Sequence, residues 1–415
     1  MPTAPGKREY VYICTRRGHG PSPRLREQVL ASATAHGFVL TFGRVNEMHK
    51  LLWLILVLAS MLDAPSATAA DGPALTIEEK IPLGDISGRI DHLAYDSARQ
   101  RLYVAELGND SVGIVDLKTH RLVRTVSGFK EPQGIAFESS TDAVYVASGG
   151  DGSLRMFRGA DFAPVAKIDL GSDADNVRAD PAARRVYVGY GGGAIAVIDA
   201  VARKRLADIP LKGHPESFEL ESDGPRIFVN VPDAGLIQIL ARDTGTPIGT
   251  WSTTGLQANY PLALDSTNRR VFAVFRHPAR MEAFDTSDGK RLGGVDACGD
   301  ADDVFVDAKR ERIYVVCGEG SVDSYASGKG FLRVDRLPTR RGSRTGLYLP
   351  DIDRLAIAIR AAGNQSAAVW LLRPTSTPTA SAMDSPSEAG PDRGSVRVGV
   401  FEPTRAFIRV LARGR

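Results

Sequence analysis

The chain has 415 residues, 42 of them Gly and 24 Pro, with 43% hydrophobic and 24% charged residues, which fits a turn-rich globular protein and excludes a disordered one. Its formal net charge of +3 belongs to the ends: residues 1–70 and 375–415 together hold 14 Lys/Arg against eight Asp/Glu, leaving 38 against 41 in between. A body with that slight acidic surplus lacks the electrostatic footprint of a nucleic-acid binder, and no such partner is expected.

In chain order, the first signal is "MHKLLWLILVLASMLDAPSATAAD" from Met48. His49 and Lys50 give a short polar start, Leu51 to Leu62 an apolar stretch, and Ala67-Thr68-Ala69 a small-residue cleavage site, the grammar of a secretory signal peptide over 48–70. The alternative, a membrane anchor, needs about 18–20 apolar residues, and this run falls short. Residues 1–47 are then an upstream extension absent from the mature protein, which begins at Asp71 and has no membrane span. A periplasmic or secreted location follows, and a monomer is expected.

The strand-like "LTIEEKIPL" comes next (75–83), and after it a repeat begins. Leu102-Tyr103-Val104 recurs as Val144-Tyr145-Val146, Val186-Tyr187-Val188, Ile227-Phe228-Val229, Val271-Phe272-Ala273, Ile313-Tyr314-Val315 and a degraded Leu355-Ala356-Ile357. The central residues are 42, 42, 41, 44, 42 and 42 positions apart. A β-type repeat of that period predicts four-stranded propeller blades, here seven over 71–374. A helical solenoid would need 3.6-residue apolar spacing, which is missing. The seventh unit stops after its third strand, "AAVWLLR", so the leftover 75–83 strand is expected to complete it and close the ring.

"RLYVAELGNDSVGIVDLKTHRLVRTV" and its siblings resemble the YVTN-type β-propeller repeats of exported proteins, across about residues 75–373. That resemblance implies a seven-bladed all-β propeller of antiparallel blades. Its relatives span surface-layer proteins, nucleic-acid binders and binding modules, so function has to come from the site.

Of three cysteines, Cys14 lies in the extension. Cys298 and Cys317 fall at the same end of one hairpin, which favours a disulfide over two free thiols. Beyond Pro374, "TSTPTASAMDSPSEAGPDRGS" cannot bury a core, and 375–415 reads as a disordered tail.

Propellers bind ligands at the mouth of the central channel, where the inner strands begin. Twelve positions before each central residue stand Asp91, Gln133, Asp175, Glu216, Tyr260, Asp302 and Arg344, and one later His92, Gly134, Asn176, Ser217, Pro261, Asp303 and Thr345. The next position is almost wholly apolar. A switch from core to polar at one register in every blade marks either a ligand-binding mouth or a set of side-chain turns. Alternation along the strand leaves open which member of each pair faces the channel.

As a site, this ring is oxygen-rich. Asp91, Asn176, Glu216, Asp302 and Asp303 are the candidates to hold a hard divalent ion, Ca²⁺ or Mg²⁺, with protonation or Arg344 as other ways to offset the carboxylates. His92, Gln133, Asp175, Tyr260 and Arg344 are candidate ligand contacts. So are Arg276 and His277 in the loop "FRHPAR", which also carries Arg280. Glu216, Asn176 and Asp303 are also similar in type to the metal ligands of gluconolactonase-type propellers, which implies a metal-dependent lactonase-like hydrolase or lyase as an alternative. "GYGGGA" (189–194) lacks the helix and Lys of a phosphate loop, and a hairpin accounts for it. The primary expectation is an exported module that binds a small molecule or a protein at the channel mouth.

Overall fold

A β-branched residue on either side of an aromatic makes a strand suited to packing on both faces. The computed structural model describes residues 72–376 apart from Lys329. Each repeated triplet lies in the second strand of a four-stranded antiparallel sheet: Arg101–Glu106, Ala143–Ser148, Arg185–Tyr190, Arg226–Val231, Arg270–His277, Arg312–Cys317 and Arg354–Ile359. The sheets form blades 1 to 7 of a β-propeller, spanning residues 93–127, 132–169, 174–210, 218–252, 257–296, 301–338 and 346–374. Tyr103, Tyr145, Tyr187, Phe228, Phe272 and Tyr314 are each at most 1% exposed, because every blade is covered by a neighbour on both faces. A hydrophobic cluster fills each blade-to-blade interface, such as Tyr103, Ile114, Ile135, Val144 and Phe157 between blades 1 and 2.

Blade 7 is built from both ends of the domain, as its missing outer strand requires. Leu75–Pro82 pairs antiparallel with Ala368–Pro374, running from Leu75 opposite Pro374 to Pro82 opposite Ala368. Glu78 bonds Arg354 and Arg373 across this sheet, and the Ala74 N–H donates to Asp335 of blade 6 at 2.8 Å. These contacts tie the two ends of the ring together.

Seven outer strands leave seven sheet edges in water, each a template for unwanted pairing. The outer strand of each blade carries a register shift. The skipped residue is Val123, Val165, Leu206, Ile248, Leu292 and Val334 in blades 1 to 6, and Glu78 in blade 7. Those six aliphatics are among the few exposed large apolar side chains. They mark β-bulges that twist each edge away from straight pairing, and so are spread round the rim rather than gathered in one docking patch.

The Cys298–Cys317 disulfide is present, with both residues at most 1% exposed. Among the described residues no helix is long and apolar enough to cross a membrane. The extension, Cys14, the signal segment and the tail beyond residue 376 lie outside the described residues.

Candidate ligand site at the channel mouth

The polar ring of the sequence has a backbone cause. At the mouth, two adjacent residues of the inner strand stand opposite one residue of the second strand. The skipped pairs are Gln133-Gly134, Asp175-Asn176 and Tyr260-Pro261 in blades 2, 3 and 5, while blade 6 skips Asp302. Blades 1 and 4 repeat the arrangement: Asp91 N–H and His92 C=O both bond Ala105, while Glu216 N–H and Ser217 C=O both bond Asn230. A bulge re-aims side chains at such a place, so both members of a pair can serve one site. The close approach needs a small residue as well. Gly134 lies against the Asp175 carbonyl of the next blade with no room for a Cβ.

Most of the expected mouth residues come together. Asp302 pairs with Arg276 at 2.6 Å and lies 4.0 Å from Arg344, while Asp300 holds Arg276 at 3.3 Å and Arg344 at 2.8 Å. Arg89 sits at 2.8 Å from Asp91 and 3.9 Å from Asp302. His92 lies between Asp303 at 3.6 Å and Asp91 at 3.7 Å. The Arg276 guanidinium stacks on the Tyr260 ring, 3.9 Å from its centroid.

The rest of the set is dispersed. Gln133 offers its backbone carbonyl to the His92 N–H at 3.3 Å. His277 is exposed, and Arg280 turns to Glu282 and Asp296, so only Arg276 of the "FRHPAR" loop joins the mouth.

The electrostatics are those of charges held out of water. Burial alone would lower the His92 pKa, but Asp303 and Asp91 outweigh it and raise it to about 10, so the imidazole is a cation. Burial pushes Asp175 up to about 7, and the charges of Asp91 and Glu216 add to the effect. Glu216 also rises to about 7 through burial and Asp302, and Asp302 to about 6 through burial and Asp91. Asp175 is 8% exposed, and its buried Oδ1 has no hydrogen-bond partner among the described residues.

The proposed metal ligands do not form one donor set. Asp91 and Asp302 are engaged by arginines, Asn176 Oδ1 accepts from Arg178 at 3.4 Å, and Asp303 accepts the Gly346 N–H at 2.8 Å. Among the described residues no three His, Cys, Asp or Glu side chains converge on a metal position. Arg89, Arg276 and Arg344 are the cations that stand against Asp91, Asp300 and Asp302 in this structure.

Next to the mouth the inner strands line an open pocket of about 410 Å³. His92, Asp303 and the Arg178–Glu219 pair (3.3 Å) supply its polar lining, and Tyr95, Phe137, Phe305 and Tyr348 its aromatic lining. Sequence reasoning missed Arg89, Asp300, Arg178, Glu219 and this aromatic collar. Part of the signal was available. Two positions before the ring stand Arg89, Glu131, Asp173, His214, Ala258, Asp300 and Gly342, a second polar register.

Comparison with known proteins bears on the fold. No protein-family model matches the chain, and no curated protein matches it. Among solved structures, the chain is similar to hydrazine synthase of Kuenenia stuttgartiensis, with a TM-score of 0.61 and 16% identity over 66% of this chain and 93% of that one. A chain from the crystal structure of a mitotic checkpoint complex gives a TM-score of 0.62 at 15% identity, over 75% of this chain and 97% of that one. At such identities the likeness is one of architecture, and the chain shares the propeller fold of both.

Proposed function

We propose that the protein is a binding module that recognises a small ligand at the channel mouth through Asp175, Glu216 and the charged residues around them. The observation that carries this reading is the buried Asp175 carboxylate, which keeps an oxygen without a partner inside a cluster that already repels it. A buried charged group left unpaired costs stability; an Asn would remove the charge, and an apolar residue the unpaired oxygen as well. Strongly shifted groups gathered in a cleft are a signature of functional sites. A ligand bringing hydrogen-bond donors or positive charge would satisfy Asp175 and Glu216 together. The signal-like segment and the disulfide support an exported location, since disulfides persist in oxidising compartments.

A thermal-shift panel of monosaccharides, amino acids, primary amines and carboxylates tests this on the full chain and on Asp175→Asn. At least one class should raise the melting temperature of the parent, with affinity weakened by about ten-fold or more in Asp175→Asn. A panel in which no ligand depends on Asp175 contradicts the reading.

A further inference from the structure

The mouth holds more carboxylates than cations. Asp91, Asp175, Glu216, Asp300, Asp302 and Asp303 face Arg89, Arg276, Arg344 and the His92 cation. In the adjoining cavity Arg178 and Glu219 neutralise each other. Carboxyl groups therefore outnumber the cations that face them, and Asp175 Oδ1 gives the site one buried acceptor with nothing to accept.

The other lining of the cavity is a different environment. Tyr95, Phe137, Phe305 and Tyr348 are half-buried at the inner strands of blades 1, 2, 6 and 7, alongside Leu347. The volume of about 410 Å³ lies within the range of small-molecule sites. His92 joins the two regions, since it lines the cavity and also faces Asp91, Asp175 and Asp303. An acceptor-rich mouth that meets an aromatic-lined chamber at His92 and Asp303 suits one molecule with a positive end and an apolar body.

We infer that the channel binds a small amphipathic ammonium compound, its apolar body among Tyr95, Phe137, Phe305 and Tyr348 and its ammonium toward Asp175 and Glu216. This rests on the ligand-binding reading above and narrows it to a chemical class. The ammonium supplies N–H donors to the unpartnered oxygen and offsets the carboxylate surplus. The collar takes the ring or chain behind it, through apolar burial and cation–π contact near the charged end.

Calorimetric titration of the full chain with 3-phenylpropylamine tests the inference, with propylamine and 3-phenylpropanoate as controls. The aromatic amine should bind about ten-fold or more tightly than propylamine, through burial of the ring. The carboxylate should not bind. Phe137→Leu should remove most of the difference between the amines, and Tyr348→Leu gives the same readout if the first variant fails to fold. Equal affinity of the two amines, or binding of 3-phenylpropanoate as tight as that of the amine, overturns the inference. If neither amine binds while another class from the panel binds in an Asp175-dependent way, the ammonium inference falls and the mouth stands as a ligand site. If no ligand depends on Asp175, both readings fall.

Discussion

Deleting residues 72–82 is expected to prevent the propeller from forming a stable closed ring. The lost strand fills seven paired positions against Ala368–Pro374 and buries Leu75 and Ile81, which are 1% and 0% exposed. Its removal uncovers the edge at Val369 and Leu371, turning a covered strand into an open template for pairing with other chains. The milder variants Leu75→Ala and Ile81→Ala should each lose about 2–5 kcal/mol, the usual range for emptying a buried aliphatic site. The measurement is thermal melting with light scattering. The deletion should give aggregation or a fall of about 10 °C or more, whereas a melt within about 2 °C of the parent would mean that closure contributes little.

The second large effect is that of the disulfide. Cys298 and Cys317 are 19 residues apart, and linking a loop of that size is worth about 3 kcal/mol in the chain-entropy account. Cys298→Ser/Cys317→Ser should therefore lower the melting temperature by about 5 °C for a domain of this size. The consequence for the site follows from position. Asp300 and Asp302 stand between Cys298 and the rest of the inner strand of blade 6 (Ala301–Asp307), and these two acids anchor Arg276 and Arg344. Freeing the segment should weaken ligand binding at the mouth by more than the stability change alone explains. Binding unchanged in a folded double variant would show that the staple serves only the fold.

The fold was legible because the propeller writes one strand grammar seven times. Tyr103, Tyr145 and Tyr187 recur at a fixed step, since each must fill the same gap between blades. The closing strand was legible from a deficit, a seventh unit one strand short. The Asp91 to Arg344 ring was visible because the bulge that opens each inner strand falls at one register. What lay beyond reach was the pairing inside that ring. Which carboxylate meets Arg89 or Arg276 depends on how neighbouring strands and blades present these side chains, Arg276 to Asp300 and Asp302 of the next blade and Arg89 to Asp91 and to Asp302, and the repeat pattern does not encode that. The aromatic collar was hidden for another reason. Phe137 and Tyr348 occupy strand positions that an ordinary half-buried side chain would also take, and only their place in the lining of one cavity makes a chamber of them.

The pH dependence of stability reads the buried charges of the mouth without needing the ligand. Asp175 and Glu216 titrate at about 7 and Asp302 at about 6 in the folded chain, all above the unfolded carboxylate range. Their contribution is complete below the unfolded values, near pH 4, and is lost as pH rises through the folded ones. His92 has the same sign: the stability from its cation is complete below about pH 6.5 and is lost as pH rises toward about 10. Glu106, pushed up to about 7 by burial, adds to the trend. The acids that arginines hold low, such as Asp353 at about 2, lose their contribution only under more acidic conditions. The melting temperature of the full chain should therefore be higher at pH 5.5 than at pH 8. Asp175→Asn should raise it at pH 8 and flatten the slope, and Asp175→Asn/Glu216→Gln should flatten it further. A parent protein that melts higher at pH 8 than at pH 5.5, or an Asp175→Asn variant that is less stable at pH 8, would contradict the account of the mouth as a cluster of uncompensated buried carboxylates.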